Sequence, residues 1–412
     1  MMVNLNHQRS WTRQMRSRSD WNIIFGPPGT GKTTECMELV SNLLDQDVNP
    51  IRIGYIAFTK KAATEARTRA VRDFNFTKDD MPYFRTIHSL CFMQLGIIPS
   101  HMMQPSHYRD LGEMLGIEVG GNKLNDEIYS LSAPVGDRLL FLDNLARITE
   151  QSIDDIYESV VDDDIDIDEL KLVSTSLKKY KQKFKLLDFT DLLEMFIDHG
   201  VCPKLHTLIV DEAQDLSKLQ WRVVHTLAEH ADNIYAAGDD DQAIYRWAGA
   251  SVENFMDLQG NRKVLNQSYR VPQEAHKLAN TVLNNIGIRV PKTFKPSDIK
   301  GEVNYHFAVD DLDLSQGTWL LLARNAFLLK EYKRIVEMNG YEDDERIVIS
   351  TIHGVKGGEA DHVAIISDMA YRSYKYMERF PDDEHRVFYV AITRAKVSIH
   401  IIQPKSRIYY EI

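Results

Sequence analysis

The chain has 412 residues, enough for two or three domains with their own cores. At 43% hydrophobic and 26% charged it has an ordinary globular composition, and no apolar run approaches the roughly 20 residues that a membrane-spanning helix needs. The net charge of −11 argues against a uniformly basic nucleic-acid binder.

That total hides clusters. Residues 7–18 carry His7, Arg9, Arg13, Arg16 and Arg18, residues 60–72 carry Lys60, Lys61, Arg67, Arg69 and Arg72, and residues 178–185 read KKYKQKFK. Acidic VVDDDIDIDE at 160–169 stands against them. Each run taken alone is a solvated surface, whereas a basic stripe on one face would suit a polyanion. The basic N-terminus lacks an apolar h-region, so it is not expected to be a secretory signal. Cys36, Cys91 and Cys202 are odd in number and widely spaced, which fits a reducing, cytoplasmic setting without disulfide framework or zinc spacing.

In chain order, WNIIF (21–25) is a short buried-strand pattern before a glycine-rich loop, and TTECMELVSNLL then has helical spacing. RIGYIAFT (52–59) is β-like and is followed by helical KKAATEARTRAV. Residues 89–187 are helical in pattern with no comparable strand run. LHTLIVDEAQD (205–215) and ADNIYAAGDDDQ (231–242) are buried-strand patterns that end in acids. Strand signals return at EVNYHFAV (302–309), TWLLLAR (318–324), RIVISTIH (346–353), HVAIISD (362–368) and VSIHII (397–402). Strands alternating with helices predict an α/β chain of parallel sheets, with ligands at the carboxyl ends of the strands. The expected division is a first domain at 1–88 and 186–270, a helical accessory insertion at 89–185, and a second α/β domain at 271–412.

Gly26-Pro27-Pro28-Gly29-Thr30-Gly31-Lys32-Thr33 fits G-x-x-x-x-G-K-[ST] between a strand and a helix. Glycines let backbone N–H groups close around phosphates, and a helix N-terminus adds its dipole. Lys32 is expected to reach the β- and γ-phosphates, with Gly26, Gly29, Thr30, Gly31 and Thr34 completing the cradle. Thr33 and Asp211 are expected to hold Mg²⁺ beside ATP, and Glu212 to orient and deprotonate the attacking water. The plain alternative for Asp211-Glu212 is a solvated pair of acids opening a helix.

VDEAQD, with GDDDQAIYRWAGA downstream, resembles the UvrD/Rep/PcrA family of superfamily-1 helicases. IAFTKKAATEARTR (56–69) is similar to the family's motif Ia, FRTIHSL (84–90) to Ib and LLDFTDLL (186–193) to the segment before the DE box. LNQSYRVP (265–272) is similar to motif IV, ISTIHGVKGGEAD (349–361) to motif V and FYVAITRAK (388–396) to motif VI. The resemblance implies two RecA-like P-loop domains and ATP-driven movement along single-stranded DNA, 3′-to-5′, with unwinding of single-strand/duplex junctions. It implies that Gln242 senses the γ-phosphate and that Arg270 and Arg394 reach the same phosphate across a cleft. It implies adenine stacking on Tyr269 and ribose binding by Glu359. LNHQ (5–8) resembles the family's adenine-reading LNxxQ but is one residue short; Gln8 is preferred and Gln14 competes.

For the strand, the resemblance implies Phe58, Thr59, His88, Tyr245, Trp247, Thr351 and His353. Aromatic stacking tolerates any base, as a motor requires. Core packing is the plain alternative for Phe58 and Tyr245. Ala248 stands where the family often has Arg, and KGGEA replaces the usual KGLEF while keeping Lys356, Gly357 and Glu359. Thr351 follows Arg270 by only 81 positions, so a short form lacking the large insertion of the second domain is expected. The rival expectation is a DNA-stimulated ATPase that remodels or strips nucleoprotein without efficient unwinding. A monomer is expected, with replication or repair proteins as further partners and no membrane.

Overall fold

The computed structural model describes residues 20–58, 60–74, 76–77, 79–120, 133–160 and 164–412. The first sheet holds β1 (Trp21–Phe25), β2 (Ile53–Ala57), β3 (Phe84–Thr86), β4 (Leu205–Val210), β5 (Ala231–Gly238) and β6 (Gly260–Val264). All pair in parallel, in the order β3-β2-β4-β5-β1-β6. A parallel sheet must be covered on both faces, which is why IGYIA of β2 is apolar and buried throughout. β6 is the exception: GNRKV is exposed along its length and lies at the sheet edge, held by pairing with β1.

Helices α1 (Lys32–Asp45) and α2 (Lys60–Phe74) cover one face, burying Cys36, Val40, Ala66 and Ala70 against Tyr55 and Ile209. α3 (Ile87–Gln94) packs on the other face. The chain then leaves the sheet for α4 (Pro105–Leu115), α5 (Val135–Thr149), α6 (Ile153–Ser159) and α7 (Ile167–Phe184). It returns in α8 (Phe189–His199) and α9 (Lys218–Ala228), with α10 (Val252–Met256) beyond β5.

The helical unit has its own apolar centres, one around Leu139, Phe141, Leu142 and Leu170, another around Met103, Leu177 and Tyr180. Its boundary differs from the expected 89–185. Ile87, Leu90 and Cys91 of α3 lie in the core of the first sheet with Phe196 of α8, so the unit as packed begins after α3. An ion cluster ties it back: Arg147 of α5 and Lys181 of α7 meet Asp188 and Asp191 at 2.5–2.8 Å. Asp188 also caps α8, accepting from Asp191 N.

The second sheet holds β7 (Glu302–His306), β8 (Trp319–Ala323), β9 (Ile347–Thr351), β10 (Ala360–Ile366) and β11 (Ala395–Ile402). These are also all parallel, in the order β7-β11-β10-β8-β9. α11 (Gln273–Leu283) and α14 (Pro381–Ile392) share a core on one face, α12 (Leu329–Met338) packs on the other, and α13 (Tyr371–Arg379) leads into α14. Elements of this sheet and its helices fill the interval between Arg270 and Thr351, and no further compact domain lies there among the described residues. No helix of the described residues is long and apolar enough to cross a membrane.

Candidate active site

β1 ends at Phe25 and α1 starts at Lys32, leaving six residues to turn the chain. Gly29 and Gly31 take φ of +71° and +81°, a region that L side chains avoid. A Cβ on Gly29 would also stand 2.4 Å from Arg270 Cβ, so glycine is required twice over. Thr30 Oγ1 donates to Pro27 O at 2.7 Å inside the loop, and Gly26 N donates to Gly238 O at 2.9 Å. The strand-to-helix connection at 265–271 lies along the loop: Ser268 Oγ donates to Pro28 O at 2.8 Å, and Tyr269 N donates to Gly29 O at 2.9 Å. Tyr269 therefore stands beside the loop with its side chain 79% exposed. Thr34 is exposed on the first turn of α1.

Asp211 and Glu212 follow β4 at its carboxyl end, where Asp211 N donates to Ile56 O at 2.8 Å. Thr33 Oγ1 donates to Asp211 Oδ2 at 3.4 Å, and the Tyr55 hydroxyl donates to the same oxygen at 2.7 Å. Lys32 Nζ lies 2.9 Å from Glu212 Oε1. Burial and then Glu212 raise the Asp211 pKa. Burial would raise Glu212 too, but Lys32 and then Lys356 outweigh it and hold that carboxyl down to about 2. For Lys32, burial is outweighed by Glu212 and Asp211, which push its pKa above the ordinary lysine value. Glu212 takes φ of +54° without being glycine. Such strain persists where surrounding contacts over-determine it, and it clusters at working sites.

From Glu212 a hydrogen-bonded path crosses to the second sheet. Gln214 Nε2 donates to Glu212 Oε2 at 2.6 Å, and Gln214 Oε1 accepts from Asp239 N at 3.0 Å. Gln242 Nε2 donates to Asp239 Oδ2 at 2.6 Å, and Gln242 Oε1 accepts from Arg394 Nη2 at 2.7 Å. Arg394 follows α14 and is 2% exposed; burial and then Arg270 push its pKa down to about 9, so it keeps its charge at neutral pH. Arg270 pairs with Glu359 at 2.5 Å, and Glu359 also meets Lys396 at 2.7 Å. Lys356 Nζ donates to both Asp215 oxygens at 2.6 Å and to Gln242 O at 2.8 Å. Burial, opposed by Lys356 and reinforced by Glu212, lifts the Asp215 carboxyl to about 6.

The same Lys356 ammonium sits 5.0 Å over the Tyr245 ring, which packs against Phe58 at 5.5 Å and His353 at 6.0 Å between centroids. The site's polar path thus ends against an aromatic pair. Trp247 lies 6.0 Å from Phe141 of α5 and 5.9 Å from His353, partly buried on the helical unit. Beside it opens a cavity of about 320 Å³ between the helical unit and the second sheet, lined by Arg246, Trp247, Arg324, Arg372, Tyr376 and Phe380 among others. His88, at the start of α3, meets Phe189 edge-on at 5.6 Å, and burial pushes its pKa down to about 4. Thr351 ends β9, where its Oγ1 accepts from Gly354 N at 3.1 Å.

His353 requires a correction. It is 2% exposed, with Nε2 3.0 Å from Ile244 O, and burial drives its pKa well below the ordinary histidine value. In this conformation it is a packing element between the two sheets' domains and offers no face to a nucleic acid. Thr59, Gln8 and Gln14 lie outside the described residues. Two residues beside the expected strand contacts carry no strong signal in the sequence. Phe189 is 63% exposed beside His88, and its signal was an aromatic at the start of a helix just after its Asp188 cap. Lys356, which the motif merely retains, is the cation joining Asp215 to Tyr245.

Comparison with known proteins fits this arrangement. The model described as UvrD/REP helicase N-terminal domain matches residues 7–263, and UvrD-like helicase C-terminal domain matches residues 322–406. A probable DNA helicase of Mycoplasma pneumoniae is 26% identical over 440 residues, covering 92% of this chain and 80% of the relative. ATP-dependent DNA helicase PcrA of Staphylococcus aureus (strain Mu50) is 25% identical over 307 residues; the match covers 71% of this chain and 42% of PcrA. Among solved structures, the crystal structure of arterivirus nonstructural protein 10 (helicase) is similar at a TM-score of 0.42 and 12% identity, covering 94% of this chain and 60% of that one. With the first model alone spanning more than half of the 412 residues, the chain belongs to the UvrD/Rep helicase family.

Proposed function

We propose that this chain is an ATP-driven motor on single-stranded DNA, working 3′-to-5′, that separates strands at single-strand/duplex junctions. The observation that carries the reading is the unbroken path from Lys32 and Glu212 through Gln214, Asp239 and Gln242 to Arg394, with Lys356 ending on the Tyr245 ring. A nucleotide in the loop of Gly26, Gly29, Thr30, Gly31 and Thr34 would meet Lys32 from the first domain, Arg270 at the border between the domains and Arg394 from the second. Glu212, ionised at neutral pH, is the base for the attacking water. Gln242 reports the state of the phosphate to the aromatic pair Phe58 and Tyr245, between which bases slide. Tyr269 stacks on adenine and Glu359 takes the ribose; Gln8 is the adenine-reading candidate outside the described residues.

The neighbouring oxygens of Thr33 and Asp211 fit the protein share of a Mg²⁺ site. That ion supplies charge neutralisation on the phosphates. Thr59, His88, Trp247 and Thr351 stand as further strand contacts, and His353, buried between the two domains, is not among them. We read the division into two RecA-like domains with a helical accessory unit as the mechanical frame. The chain acts as a monomer in this reading, with replication or repair proteins as further partners. Ala248, where the family often has Arg, favours a second reading, a DNA-stimulated ATPase that strips nucleoprotein without efficient unwinding.

The pH dependence follows from Asp215. Above about 6 it is a carboxylate holding Lys356; as pH falls through about 6 it protonates and loses that charge. ATP turnover is expected to fall on that acidic limb, and Asp215→Asn to lower turnover and flatten the limb in a pH–rate profile. Direction is tested on duplexes with one single-stranded tail. Unwinding from a 3′ tail is expected; unwinding from a 5′ tail alone would sink the polarity, and protein displacement without unwinding would select the second reading.

A further inference from the structure

The turn after β5 carries Asp239, Asp240 and Asp241 in succession, and all three are buried. Their carboxylate oxygens lie within 4.8 Å of one another, close enough to hold a metal ion. A protein cation takes that position. Lys292 Nζ stands 3.0 Å from Asp239 Oδ1, 2.6 Å from Asp240 Oδ1 and 2.6 Å from Asp241 Oδ2, on a side chain 2% exposed. Arg289 adds a two-pronged pair to Asp241 at 2.7 and 2.6 Å, and Val290 N donates to Asp240 Oδ2 at 2.8 Å. The stretch bearing these residues lies between α11 and β7, and its Ile286 and Phe294 sit in the core of the second sheet. Lys292 therefore reaches the turn from across the cleft, as Arg394 does.

We infer that Lys292 is a positioning residue for ATP hydrolysis: by holding Asp239 as a carboxylate it sets the direction of the Gln242 amide, and through it the place of Arg394. The inference rests on the hydrolase reading above. A carboxylate can only accept, and a guanidinium can only donate. Ionised Asp239 takes Gln242 Nε2 at 2.6 Å, which turns Oε1 toward Arg394 at 2.7 Å. Protonated Asp239 gains an O–H that can donate to Oε1 instead, so the direction of the amide is no longer fixed. The flipped amide would then set its N–H groups against Arg394, donor against donor. Burial pushes the Asp239 pKa upward and Lys292 is the largest opposing influence, with Asp241 and Asp240 adding to the upward push. Removing the ammonium removes the main restraint on protonation.

The test measures kcat and KM for ATP in the full chain with single-stranded DNA, alongside the affinity of a fluorescent ATP analogue. Lys292→Met is expected to lower kcat roughly 30-fold or more while KM and analogue affinity stay within about threefold. Lys292→Arg, which keeps the charge, should recover most of the loss. In a Gln242→Ala background, Lys292→Met should cost less than about threefold, because the link it serves is already cut. Lys292→Met at parental kcat, or an equal loss with and without Gln242, overturns the inference. Should Lys292→Met melt far below the parent, Asp239→Asn carries the test. It must show the same kcat loss and the same non-additivity with Gln242→Ala, and an unchanged kcat overturns the inference. A parent chain that hydrolyses no ATP is a different result: it removes the hydrolase reading, and this inference falls with it.

Discussion

Glu212→Gln is expected to abolish ATP turnover while nucleotide still binds, with kcat falling by about 10³-fold or more. The substitution keeps side-chain size, so Gln214 retains a partner near its 2.6 Å contact. It removes the one property that the site maintains there, a carboxylate held down to about 2 by Lys32 and Lys356. An amide cannot take a proton from water. Lys32→Ala should also stop turnover, but by another route: it removes the cation aimed into the loop, so nucleotide affinity falls with it. Steady-state hydrolysis paired with equilibrium nucleotide binding separates the two. Glu212→Gln turning over at a parental rate would mean that another group activates the water.

Arg394→Ala carries the second large effect, a loss of about 10³-fold in kcat, in the range of an arginine finger. Arg394 is buried and charged, so its guanidinium is paid for structurally by Gln242 Oε1 at 2.7 Å and Val390 O at 3.0 Å. A buried charge held by hydrogen bonds from a second domain is a costly arrangement that packing alone does not call for. Arg394→Lys is expected to recover little, because an ammonium cannot hold Gln242 and a phosphate oxygen together in the guanidinium's planar fork. Arg270→Ala should be milder in the resting chain, since Arg270 already sits on Glu359. Single-turnover hydrolysis checks both variants.

Much of this was legible in the sequence, for stated physical reasons. β1, β2 and β4 are apolar runs because a parallel sheet buries both faces, and they announce themselves. β3 is three residues long and β6 is polar and exposed, so neither has a hydrophobic signature; β6 exists through its backbone pairing with β1. The helical pattern of 89–187 is plain in the sequence, but the point at which the chain leaves the first sheet's core is not. IHSLCFMQ of α3 is apolar on several sides and carries no break that says which core it joins.

The acid site was legible because its spacing is fixed by local backbone: a strand, a glycine turn, a helix N-terminus. Lys292 and Phe189 were not, since their meaning comes from tertiary approach. Lys292 lies 51 residues along the chain from Asp241, the nearest of the three carboxylates it meets, and no local pattern records that. His353 shows the opposite failure. Its motif located the loop, but only packing decides that the ring turns inward toward Ile244 O rather than outward.

The central claim is that the cleft's chemistry is tied to the strand-binding face. Its most direct measurement is the steady-state ATP hydrolysis rate of the full chain titrated with a single-stranded oligonucleotide. The account predicts a saturable rise in rate that Gln242→Ala removes while oligonucleotide binding persists. A rate that stays constant as the oligonucleotide saturates the protein would contradict it.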